Sequence, residues 1–100
     1  VDNQNLNPES FILGKPYPNP FNPSVKMNLF VDNIGTYQIN IYNIKGELIN
    51  NWDVDFTQKG SHVIQWNAMN YSGPHVPSGV FFISVTNQNK SKQRKVLLLR

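Results

Sequence analysis

Apolar residues recur at every second position in short runs along this chain, and no segment shows the 3.6-residue spacing of a helix. Val25, Met27, Leu29 and Val31 alternate with Lys26, Asn28 and Phe30, and Tyr37, Ile39 and Ile41 alternate with Gln38, Asn40 and Tyr42. His62, Ile64 and Trp66 share one side of residues 61–67. Positions two apart point to the same face of a strand, so each run offers one apolar face to a core. Residues 47–55, with Leu48 and Trp52 in reach of that core, and residues 79–86 and 93–99 are further β-prone runs, while residues 11–13 start a short one. Turn formers separate them. Asn43, Ile44, Lys45 and Gly46 place a glycine where a tight turn needs positive φ. Lys59-Gly60, the stretch 70–78 and the stretch 87–90 are the other breaks. The pattern predicts an all-β chain, an Ig-like or fibronectin-III-like antiparallel sandwich of about seven strands.

A chain of 100 residues has room for one such core. Residues 1–10 are polar and without periodicity, and read as a linker from an upstream domain; residues 11–100 are the folded unit. Val1 reads as a cut inside a longer precursor, with any export signal upstream. There is no cysteine, which excludes disulfides, thiolate metal sites and cysteine nucleophiles. No apolar run approaches the roughly 20 residues of a membrane-spanning helix. Charged residues make up 15% of the chain, against roughly 25% in an average protein. With fifteen asparagines the surface is polar but mostly uncharged, which suits an extracellular module. All six acids lie in the first 55 residues, none of residues 60–89 is charged, and Lys90, Lys92, Arg94, Lys95 and Arg100 crowd the last stretch. That basic stretch is either a strand that meets an acidic or anionic surface, or an edge strand kept soluble by lysines.

No constellation points to catalysis. Asp53 and Asp55 share a strand face, but no further carboxylate stands near them to complete a calcium site. As a glycosidase pair they lack a cleft. His62 and His75 have no nucleophile pattern beside them. The basic tail has no interleaved aromatics of the kind that bind nucleic acid. The chain is expected to be neither an enzyme nor a cofactor protein. Trp52, Trp66, Tyr71, Phe81 and Phe82 leave a sugar-stacking platform as an alternative, set against a core role for Trp66 and Phe81.

Four prolines stand within residues 16–23, which forces an extended, non-helical path with few backbone donors. Tyr17 and Phe21 are expected to pin that path onto the end of the core. The run Tyr17, Pro18, Asn19, Pro20, Phe21, Asn22, Pro23 and Ser24 resembles the YPNPFNPS opening of the type A C-terminal sorting domains of the bacterial type IX secretion system, a family related to the Ig-like domain of flagellar hook-capping proteins. Further stretches are similar to that family in the same order: residues 41–49, residues 60–67, then residues 77–82 with Gly79, Val80 and Phe81, and finally Lys95, Val96, Leu97, Leu98, Leu99 and Arg100. Phe81 replaces the usual Tyr, and Asn67-Ala68 stands where many members have Asp-Gly. The resemblance implies a sorting signal. It would carry an upstream cargo domain of the same precursor through the periplasm to the cell surface or the medium. Its partners would be translocon, outer-membrane shuttle and sortase components. The domain itself is expected to be a monomer with no transmembrane segment and no nucleic-acid partner. The final strand, at a sheet edge, is expected to leave its backbone and its cations available for pairing with a receptor. A structural or carbohydrate-binding module beside a secreted enzyme is the alternative function.

Overall fold

A computed structural model describes residues 11–70, 73 and 75–100; the expected linker at 1–10 and Tyr71 lie outside the described residues. Seven strands follow one another: β1 (Phe11–Leu13), β2 (Val25–Val31), β3 (Gly35–Asn43), β4 (Leu48–Phe56), β5 (Gly60–Trp66), β6 (Gly79–Asn87) and β7 (Lys90–Leu98). They form a three-stranded sheet in the order β1-β2-β5 and a four-stranded sheet in the order β4-β3-β6-β7. Every pairing between these strands is antiparallel, and the described residues contain no helix. The expected Ig-like sandwich is the observed fold.

The period-two runs set the core. Val25, Met27, Leu29 and Val31 of β2 face Tyr37, Ile39 and Ile41 of β3 and Phe81, Ile83 and Val85 of β6 across the sandwich, and all are buried. Ile64 and Trp66 of β5 and Val96 and Leu98 of β7 close it. Each large apolar side chain so buried contributes roughly 1.5–3 kcal/mol. One expectation fails in β4. Its register shifts between Ile41 and Tyr42, so Ile41 lies opposite Asn50 and Tyr42 opposite Leu48. The extra residue of this bulge re-aims its neighbours. Ile49, with Trp52 and Val54, packs against the core, while Leu48 points to solvent.

The ends of the sandwich are tied by asparagines. In the β3–β4 turn the Asn43 side-chain oxygen accepts from the Lys45 and Glu47 amides at 2.9 and 3.0 Å, and Gly46 holds φ of 83°. At the opposite end buried Asn87 donates to the Thr36 carbonyl and accepts from Asn33 Nδ2, both at 3.0 Å. The buried Tyr37 hydroxyl donates to the Asn33 carbonyl at 2.7 Å. Burial pushes its pKa up, and the nearby Asp32 carboxylate adds to the rise.

Candidate functional site

The proline-rich segment runs from one sheet to the other. Among residues 17–21 the prolines have no N–H, and the backbone donors of Tyr17 and Phe21 are the ones that reach strands. Tyr17 exchanges two backbone bonds with Lys26, at 2.8 and 2.9 Å, which extends the edge of the smaller sheet. Phe21 then crosses to β7. Its amide donates to the Leu97 carbonyl at 2.9 Å and its carbonyl accepts from the Leu99 amide at 3.0 Å, a parallel bridge at Leu98. Between these points the Asn19 side chain imitates a strand. Its Oδ1 accepts from the Leu97 amide at 3.0 Å and its Nδ2 donates to the Lys95 carbonyl at 3.3 Å.

Beneath this clasp the side chains converge. Phe21 is buried with its ring 5.8 Å from Trp66, and Trp66 meets Phe81 edge-on at 5.2 Å. The Trp66 indole donates to the Met69 carbonyl at 2.9 Å, which satisfies its polar end in a buried place. Gly79, Val80 and Phe81 pair with Leu98, Leu97 and Val96. Arg100 locks the far end: its amide donates to Ser78 Oγ at 2.9 Å, and its guanidinium donates to the Val76 carbonyl at 2.7 Å and the Ala68 carbonyl at 3.2 Å. Arg94 donates twice to the Leu13 carbonyl, at 2.6 and 3.2 Å, and so ties β7 to β1.

The structure thus brings together the three segments singled out in the sequence, 17–23, 79–81 and 95–100, although they are far apart along the chain. It also corrects three expectations. The backbone edge of β7 is not open at residues 95–99, because Asn19 and Phe21 already occupy it. The terminal cations are not all available, since the Arg100 guanidinium is bonded to two carbonyls and Arg94 to a third; Lys95 is exposed. Tyr17 does not enter the core: it is 44% exposed and its hydroxyl donates to Asn28 Oδ1 at 3.2 Å, while Phe21 alone does the pinning. Trp66, Ala68, Val76 and Ser78 belong to the clasp and were not assigned to it from sequence. Trp66 and Ser78 lie within or beside the family-like stretches, but nothing in a linear pattern says that they meet residue 21 or residue 100.

The other candidates lie apart. Asp53 and Asp55 sit on an exposed strand face, and Thr36 Oγ1 donates to Asp55 at 2.6 Å. Among the described residues no three His, Cys, Asp or Glu side chains are grouped to hold a metal ion. His62 packs on Phe56 with ring centres 4.4 Å apart, and His75 forms a bridge with Met69. The expected aromatic platform does not form as a unit: Trp66 and Phe81 are buried and Trp52 packs against the core, whereas Phe82 lies half-buried on the outer face.

Comparison with known proteins agrees with this architecture. No curated protein matches the chain. Among solved structures, dimeric latent PorU from Porphyromonas gingivalis superposes with a TM-score of 0.72 at 18% identity, over 94% of this chain and 10% of that one, a likeness of fold. PorZ from the same organism, an essential bacterial surface component of its type IX secretion system, superposes with a TM-score of 0.61 at 25% identity, over 85% of this chain and 11% of that one. The chain therefore spans about a tenth of the length of either. Residues 22–91, which include Trp66 and Phe81, match the FlgD Ig-like domain, and on that match the chain belongs to the FlgD Ig-like domain family.

Proposed function

We propose that this chain is a non-catalytic sorting domain that directs an upstream cargo through the type IX secretion system to the cell surface or medium. The observation that carries the reading is the clasp. The two segments most similar to sorting-domain signatures, 17–24 and 95–100, complete each other's hydrogen bonds and cover one aromatic cluster. The likeness to PorZ supports the same system. In this reading the translocon and its shuttle and sortase components recognise the closed clasp by its outer surface. Tyr17, Lys95 and Leu99 are among the exposed side chains of the clasp and offer contact without being needed inside it.

The test is export of a reporter fused to residues 11–100 behind an ordinary signal peptide, in a strain with a compatible type IX system. The reporter is expected on the surface or in the medium, and deletion of residues 95–100 is expected to leave it in the periplasm. Because that deletion also removes core residues, the decisive variant combines Tyr17→Ser, Lys95→Ala and Leu99→Ser. It should melt close to the parent yet export poorly. Equal surface delivery with the domain, without it and with the tail deleted would overturn the sorting function. Normal export of the triple variant would move recognition away from the clasp's outer surface.

A further inference from the structure

The outer face of the four-stranded sheet carries an arrangement that sorting does not use. Because Tyr37, Ile39 and Ile41 of β3 and Phe81, Ile83 and Val85 of β6 point inward, the alternate residues point out. Three cross-strand pairs follow down the middle of that face: Tyr42 beside Phe82, Asn40 beside Ser84, and Gln38 beside Thr86. None of the six is charged. Asn51 extends the second row on one side and Gln93 on the other. Successive rows lie about 6.6–6.8 Å apart and the strands about 4.7–4.9 Å apart. The face therefore carries half-buried Tyr42 and Phe82 beside a row of carboxamides, while the Ser84 hydroxyl is buried and, like that of Thr86, is bonded to Ser91.

Among the described residues, some asparagines have carboxamides that the fold uses and others do not. Those at the turns and the clasp, such as Asn19, Asn43, Asn50 and Asn87, have their carboxamides bonded inside the protein. Asn40 makes only a 3.5 Å contact with Gln38, and neither the Asn51 or Gln93 carboxamide nor the Tyr42 hydroxyl has a partner among the described residues. Each carboxamide offers two donors and an acceptor in a fixed plane. An aromatic face carries partial negative charge, which attracts the polarised C–H groups of a sugar ring laid upon it. Uncharged amides exchange hydrogen bonds with neutral hydroxyls without the desolvation cost of an ion. Asp53, opposite Gln38, and exposed Lys95, opposite Phe82, put one charge of each sign at the rim, so the face has no net charge to favour an ionic ligand.

We propose that this face binds a neutral glycan chain, with a pyranose ring stacked on Phe82 and Tyr42 and hydroxyls bonded by Asn40, Asn51 and Gln93. This binding is separate from export and is tested without it. The purified 100-residue chain, labelled with 15N, is titrated at physiological salt with soluble dextran, mannan and mixed-linkage β-glucan, with alginate as the anionic comparison. At least one neutral polysaccharide should retard the protein in an affinity gel, and amide shifts should cluster at residues 38–42 and 82–86. Phe82→Ser should weaken binding at least about tenfold. Gln93→Ala and Asn51→Ala remove exposed or half-exposed amides and no core atom, and should weaken it severalfold with an unchanged melting temperature. These two variants keep the test valid if Phe82→Ser unfolds. The proposal is overturned if none of the three neutral polysaccharides binds, if only alginate does, if the shifts cluster elsewhere, or if Gln93→Ala and Asn51→Ala both bind like the parent.

Discussion

Among the described residues, two other than glycine hold positive φ: Ala68 at 59° and Gln88 at 55°. Ala68 stands where many of the sorting domains that the chain resembles carry glycine, and its backbone has a reason to stay left-handed. Its carbonyl accepts from both the Val76 amide and the Arg100 guanidinium. A glycine there would relieve about 1–2 kcal/mol of strain. It would also lose a buried methyl worth about 0.8 kcal/mol and add unfolded-chain entropy of about 0.4–1 kcal/mol, so alanine is tolerated. Gln88 is exposed, and it occupies the first position of the two-residue β6–β7 loop, where such hairpins favour glycine. Without a buried methyl to lose, Gln88→Gly should stabilise the fold by about 0.5–1 kcal/mol, read as a higher urea midpoint at unchanged slope. Tyr37 gives a pH dependence. Its phenol pKa is raised above the ordinary 10.0, so the folded state keeps its proton at a pH where the unfolded chain has lost it. The contribution is present below pH 10.0 and is lost as pH rises from that value through the higher folded one. Tyr37→Phe should flatten that alkaline loss in a pH series of denaturation curves, while costing about 0.5–1.5 kcal/mol at neutral pH through the lost bond to Asn33.

The strands were legible because burial on one face imposes a period of two, and Trp66, Phe81, Ile39, Ile41 and Leu29 are buried as that period requires. What escaped it was set by backbone pairing. The bulge opposite Tyr42 swaps Ile49 for Leu48 in the core, and no propensity marks its place. Strand β7 begins at Lys90, before its apolar run, because Lys90, Ser91 and Lys92 pair with Asn87, Thr86 and Val85 in the hairpin. The motifs at 17–23 and 95–100 were each readable, but their union was not: a carboxamide that stands in for a strand 76 to 78 residues away has no linear signature. Asn19→Ala should therefore loosen this end first. Two hydrogen bonds are removed, about 1–3 kcal/mol in total, and the Leu97 amide should exchange with solvent markedly faster than amides in the middle of β3. Unchanged protection at Leu97 would mean that Phe21 alone holds the edge.

At the scale of the molecule the two sheets share one core, so they should melt together. Trp66→Ala should cost roughly 3–5 kcal/mol, because the ring joins Phe21, Phe81 and the Met69 carbonyl. Deleting residues 95–100 takes buried Val96 and Leu98 out of the core and uncovers Phe21. Far-UV circular dichroism and tryptophan fluorescence should then lose their transitions in parallel, and a native-like signal from either probe alone would show that the sheets are separable. The clasp also has a meaning in time. Asn19 is synthesised 76 to 78 residues ahead of the partners it bonds, an interval of about 4–15 s at ~5–20 residues per second. Throughout it the proline-rich segment is complete in sequence but has nothing to close against. A chain stalled anywhere between Ser24 and Leu97 carries the whole opening signature and still lacks the shape, so the closed form marks a chain made through Leu99.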